Sequence, residues 1–149
     1  MKNLQIEKIV DEILVQSGSS VKVKLEDFFP GDRFAGGKYN FGSHTITLYI
    51  EEIKAQCLQV FSSTEQFEDY FAIVFAHEIG HAEDCELAEL IQKMEEAGND
   101  GLQKGIALQI ERNAWDYARL LIPQELHPFM DKIISHSLEP YYEALEVSA

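Results

Sequence analysis

Apolar residues return at helical spacing from the start of the chain. Leu4, Ile6, Ile9, Val10, Ile13 and Leu14 share one face, and Ser17-Gly18 ends the run, predicting an amphipathic helix. Val21, Val23 and Leu25 then alternate with Lys22, Lys24 and Glu26, the period of a half-buried strand. Pro30-Gly31-Asp32 and Gly36-Gly37 punctuate a loop with room for a further short strand. Thr45-Ile46-Thr47-Leu48-Tyr49-Ile50 is the strongest strand signal, with Ile46, Leu48 and Ile50 on one face.

Beyond residue 51 the pattern stays helical. Ser62-Ser63-Thr64 followed by Glu65-Gln66 offers N-cap and capping-box chemistry for a helix through Phe67, Phe71, Val74 and Phe75 to at least His81. A second helix runs to about Ala97, where Gly98-Asn99-Asp100-Gly101 breaks it. A long helix from Leu102 to Ile122 stops at Pro123, and His127-Pro128 and Glu139-Pro140 divide the tail into two shorter helices. There is no internal repeat, low-complexity segment or linker. The expected class is α+β: a small early β-sheet packed against a mostly helical body.

The 149 residues suit one domain, 1–149. A chain of this size buries roughly 70% of its unfolded surface and needs no staples. Its 12 Lys+Arg stand against 26 Asp+Glu, a formal charge of −14. Only Arg33, Arg112 and Arg119 carry guanidinium groups, with no basic run around any of them, which excludes direct binding of nucleic acid and disfavours anionic membranes. Cys57 and Cys85 are too few for a disulfide framework, and residues 1–8 have no apolar leader core. The apolar run Tyr70–Ala76 is far short of the ~20 residues that span a bilayer. The expectation is a cytoplasmic protein.

The chemistry sits in the most apolar helix, as His77-Glu78-Ile79-Gly80-His81, an HExxH. Histidines four residues apart stack on one face, about 6 Å apart along the axis, so both imidazoles can reach one metal ion. Glu78 is turned ~100° from His77, off the ion yet near its open position. A carboxylate there can take a proton from an activated water and deliver it to a leaving amine.

A zinc site needs a third protein ligand. Asp84 and Leu87 stand where a metzincin has Gly and His, excluding that class. Asp84 would also lie ~10 Å from His77 along a straight helix, and Glu83 and Glu86 read as solvated charges. Glu111 is the better candidate. With Ala114 and Ala118 it shares one face of the long helix, and those small side chains let the helix approach another backbone, for which Gly80 offers the matching gap.

His77-Glu78-Ile79-Gly80-His81 followed by Glu111-x-x-Ala114-x-x-Tyr117-Ala118-x-x-Leu121-Ile122-Pro123 resembles the ImmA/IrrE metallopeptidases, gluzincin-type enzymes whose pattern is HE(L/I)GH and then ExxANxFAxxLLMP. The resemblance covers residues 44 to 123, including the strand before the active helix. It implies a zincin-like domain, His77, His81 and Glu111 as Zn²⁺ ligands, Glu78 as catalytic base, and hydrolysis of a peptide bond in a protein, often a DNA-binding repressor. Two departures from the pattern bear on the site. Trp115 stands where the family has Asn, and Ala82-Glu83-Asp84-Cys85-Glu86 lacks the apolar residue and histidine usual there.

The remaining candidates read blandly. His44 suits a surface turn, Tyr117 the core, and His127 and His136 surface or capping positions. Tyr39, Tyr141 and Tyr142 are possible oxyanion donors that the sequence does not separate. Cys85 reads as an idle thiol, and Lys54-Ala55-Gln56-Cys57-Leu58 does not match the deformylase pattern. The leading expectation is a zinc peptidase acting on a protein substrate such as a basic regulator, with an extended segment of it paired along the edge of the Thr45–Ile50 strand. The alternatives are a non-catalytic, metal-stabilised protein that sequesters a regulator, and a structural protein whose HExxH is accidental.

Overall fold

The fold was obtained as a computed structural model, which describes residues 4–30 and 36–148. Gly31 and Asp32 of the expected turn, Arg33, and residues 1–3 lie outside the described residues. Helix α1 (Leu4–Ser17) ends where expected. Gly18 takes φ +69°, a conformation that costs a residue without Cβ little, and its N–H donates to the Leu14 carbonyl at 3.0 Å.

Strands β1 (Lys22–Glu26), β2 (Gly37–Asn40) and β3 (Thr45–Tyr49) form a three-stranded sheet in the order β1-β3-β2. β1 runs parallel to β3, and β2 runs antiparallel to it, with Tyr39 opposite Ile46. β3 is therefore the central strand, and all five of its residues are buried. This overturns its expected role as a free edge: both sides of its backbone already have partners. The edge that flanks the main helix belongs to β2. Ile50 does not extend β3 but begins α2 (Ile50–Phe61).

Helix α3 (Phe67–Ala82) carries the HExxH segment. Its start differs from expectation. Ser62 ends α2 in a left-handed conformation, and the Ser63 hydroxyl accepts from the Glu65 N–H at 3.0 Å, while the capping residue Gln66 makes no side-chain bond. Tertiary burial holds this helix in place of a capping box. From Tyr70 to His81 every residue but Ala72 is buried, because α1, α2, α5, β2 and β3 all pack around it. Full burial of side chains such as Phe71, Ile73, Phe75 and Ile79 contributes about 1.5–3 kcal/mol each.

Helix α4 (Leu87–Glu96) leads to α5 (Asp100–Leu121), where Asn99 Oδ1 caps the first turn by accepting from the Leu102 N–H at 2.7 Å. After a 3-10 turn, Gln124–Leu126, the tail forms one helix, α6 (His127–Ser148), and not two. Pro128 sits in its first turn, where no N–H is needed. Pro140 lies inside the helix, which runs on past it. An interior proline costs about 3 kcal/mol, and the core contacts of Ile133, Ile134 and Leu138 before it and of Tyr141 and Leu145 after it hold both halves in line. No helix among the described residues is long and apolar enough to cross a membrane.

The decisive contact is between α3 and α5. A Cβ built on Gly80 would overlap the carbonyl group of Ala114, lying 2.8 Å from its Cα and carbonyl carbon. The two backbones touch there, as the small residues implied. Gly80→Ala is expected to cost about 3 kcal/mol, the upper end of overpacking penalties, because backbone must move. Gly105→Ala on α5, where a Cβ meets nothing within 4 Å, should instead stabilise by roughly 0.5–1 kcal/mol. Urea unfolding of both variants tests this contrast. Burial raises the pKa of the Cys57 thiol, whereas Cys85 is exposed. A thiol reagent should therefore modify Cys85 in the native protein and Cys57 only on unfolding.

Candidate metal centre

The close crossing delivers Glu111 of α5 onto the two histidines of α3. Its Oε1 lies 3.0 Å from His77 Nε2 and its Oε2 lies 3.2 Å from His81 Nε2. The two imidazoles stand edge to face with centroids 4.7 Å apart. Glu78 is buried and faces the other nitrogen of His77, with Oε2 3.2 Å from Nδ1. One ligand atom from each of His77, Glu78 and His81 lies within 4.8 Å of the others, so this His-Glu-His cluster can hold a metal ion.

Two carboxylates thus compete for the third position, and the ring nitrogens separate them. Glu111 faces both Nε2 atoms, whereas Glu78 faces only the Nδ1 of one ring. The two oxygens of Glu111 are divided between the rings, Oε1 toward His77 and Oε2 toward His81. Both carboxylates therefore lie beside the histidines that could hold a metal ion.

The electrostatics also suit a cation. Burial opposes charging His77, but hydrogen bonds to Glu111 and Glu78 and their negative charges outweigh it, and its pKa is pushed up to about 10. Burial likewise opposes the Glu111 carboxylate, yet hydrogen bonds from His77 and His81 and their charges hold it well below the usual carboxylate range. Only an imidazolium can donate from both nitrogens of one ring. A bound metal ion would meet the same demand for positive charge.

Trp115, one turn beyond Glu111, stacks on the His77 ring with centroids 4.2 Å apart and planes inclined by 23°. Its indole N–H is buried with no hydrogen-bond partner among the described residues. Indole cannot accept a proton from the histidine, so it fixes the ring by its face and not by a hydrogen bond.

The structure also settles the bystanders. Asp84 has left the helix, accepting from the Glu86 N–H at 2.9 Å and from Asn113 Nδ2 at 3.3 Å. Glu83 and Glu86 are exposed, as expected of solvated charges, and accept from the Ser19 hydroxyl and from Asn113 respectively. His44 occupies a turn at φ 49° and pairs through Nδ1 with the Tyr39 hydroxyl at 2.8 Å. His127 Nε2 pairs with the Ile122 carbonyl at 2.9 Å. Tyr117 is half-buried against the core, and its pKa is raised by burial and by Glu83.

The role of Gly37 escaped the sequence reading, and the three candidate tyrosines were left unseparated by it. A Cβ on Gly37 would lie 3.1 Å from Glu78 Cγ, so this glycine lets β2 close over the carboxylate. A glycine within a strand signals such an approach. Tyr141 of α6 lines both cavities that meet at His77 and Glu78, one of about 310 Å³ and one of about 330 Å³. Tyr39 lines the second, and Tyr142 lines neither. Compared with models of known families, with curated proteins and with solved structures, the chain finds no match.

Plasma mass spectrometry of protein incubated with a divalent metal and desalted should find one ion per chain. His77→Ala and His81→Ala should abolish retention, and Glu111→Gln should weaken it. Loss of the stacked ring in Trp115→Ala should cost roughly 10–100-fold in affinity, with Trp115→Phe recovering part of it. Free metal at 100 times its Kd should add about 2.7 kcal/mol of stability, which a chelator removes.

Proposed function

We propose that the chain is a zinc-dependent metallopeptidase with a zincin-like fold, allied to the ImmA/IrrE enzymes, that hydrolyses a peptide bond in a protein substrate. The observation that carries this reading is the single carboxylate of Glu111 shared between the Nε2 atoms of His77 and His81, with a second buried carboxylate, Glu78, at their side. His77, His81 and Glu111 would hold Zn²⁺. The ion supplies Lewis acidity, polarising a carbonyl and lowering the pKa of water toward 7.

Glu78 takes the proton of the attacking water and passes it to the departing amide nitrogen. Its burial beneath Gly37 keeps bulk water from competing for that proton. An extended substrate pairs through its main chain with the outer edge of β2, which has no strand partner among the described residues. Tyr141 is the tyrosine best placed to donate to the oxyanion, because it lines both cavities at Glu78, whereas Tyr39 lines one and Tyr142 neither.

The charge of −14 suits a basic substrate, such as a DNA-binding regulator met in the cytoplasm, whose capture should weaken as salt rises. A second reading, a metal-stabilised protein that sequesters a regulator without cutting it, draws on the hydrogen bond that engages Glu78 with His77 Nδ1. One variant decides between them. Glu78→Gln should retain one zinc per chain while losing at least about 100-fold in cleavage rate, followed by gel and mass spectrometry against candidate regulators. Stoichiometric capture with no cut product, in wild type and variant alike, would establish the sequestering role.

A further inference from the structure

We propose that the groove between α4 and the first half of α5 is an exosite that seats an amphipathic helix of a basic protein, away from the bond that is cut. The inference rests on the reading of a protein substrate and adds to it the kind of segment that is held. Among the described residues α4 buries only Leu87, and α5 buries nothing before Leu108. Leu90, Leu102 and Ile106 line the groove, a space of about 530 Å³, yet they neither join the core nor pack against it. Leu90 faces the groove while Ile91 lines the metal cleft, so α4 is a wall common to both. On α5, Ile106 precedes Glu111 by five residues, ~7.5 Å along the axis.

The floor of the groove is backbone. Gly80 is required by the Ala114 carbonyl, but a Cβ on Gly105 would meet nothing within 4 Å, and Gly101 lines the groove one turn before it. Glycine weakens a helix relative to alanine, and packing within the chain gives no reason for it at Gly105. A helix laid over this floor keeps its backbone bonds within itself. An extended segment would instead press unpaired N–H and C=O groups onto apolar walls. The rim sets the sign of the charge. Glu96 stands at one end. At the other, Gln109 donates to Asn113, which donates to Asp84 and Glu86. The one lysine lining the groove among the described residues, Lys93, is already paired with Glu89 at 3.1 Å. Cations on the flanks of the seated helix meet these carboxylates, whereas a second copy, itself at −14, would be repelled.

The test follows the anisotropy of a labelled helical peptide of leucine and lysine, with leucine at i, i+3, i+4 and i+7. Its controls are a scramble of the same composition and a counterpart with glutamate in place of lysine. The wild-type chain is expected to bind one peptide, at least about tenfold more tightly than either control. Gly105→Phe, which fills the groove, should lower that affinity at least about tenfold, and Glu86→Lys with Glu96→Lys should do the same. Glu143→Lys with Glu146→Lys, an equal change of charge at exposed positions of α6, should leave it within about twofold. Circular dichroism checks that Gly105→Phe keeps the fold, and the charge variants stand whether or not it does. Equal loss in both double variants, equal binding of the scramble, or no effect of a folded Gly105→Phe would overturn the exosite. So would a wild-type dimer that Gly105→Phe dissociates, since a second copy would then fill the groove. Groove-dependent binding by a chain that cuts no regulator would support the exosite and remove the peptidase reading. Cleavage of a regulator at a rate unchanged by Gly105→Phe would overturn the exosite and leave the peptidase intact.

Discussion

Everything at the candidate metal centre depends on how closely α3 and α5 approach. Gly80 sits against the backbone of Ala114, and no side chain separates the two helices there. Glu111, one turn before Ala114, is then near enough for its short carboxylate to reach both imidazoles. A helix pair held apart by ordinary side chains is spaced 8–10 Å between axes. The glycine is thus a structural requirement of the three-residue constellation.

The second constraint is electrostatic. α3 is the most enclosed helix of the fold, yet it carries two histidines and a glutamate on buried positions. Such groups destabilise a core unless each is paired. Here the pairing is mutual: Glu111 serves both Nε2 atoms and Glu78 serves Nδ1 of His77. The cluster nevertheless holds more carboxylate acceptors than neutral imidazoles can satisfy, so it favours a cation, whether proton or metal ion. Trp115 closes the His77 face and limits the motion of the ring that must present Nε2.

Around that fixed centre the walls come from distant segments. β2 brings a strand edge and the bare backbone of Gly37 against Glu78, and α6 brings Tyr141 from near the other end of the chain. Pro140 does not interrupt this wall, because apolar contacts on either side outweigh the lost backbone bond. The two cavities that meet at Glu78 give the centre an approach from the β2 side and a side pocket toward α6.

The sequence by itself determined the α+β class, the ends of α1, α4 and α5 to within about two residues, and the meeting of Glu111 with the HExxH histidines across small residues. Those features are local or periodic: spacing puts His77 and His81 on one face, and Gly80 with Ala114 marks a close contact. Its errors came where distant packing outvotes local preference. The end of β3 at Tyr49, the single α6 helix and the uncapped start of α3 were all decided by burial. Strand order was equally beyond local pattern, since a central and an edge strand can have similar residues. That order moved the free edge from β3 to β2. Only the tertiary structure decided which nitrogen each carboxylate meets, because side chains far apart in the chain acquire relative positions from the helices that carry them.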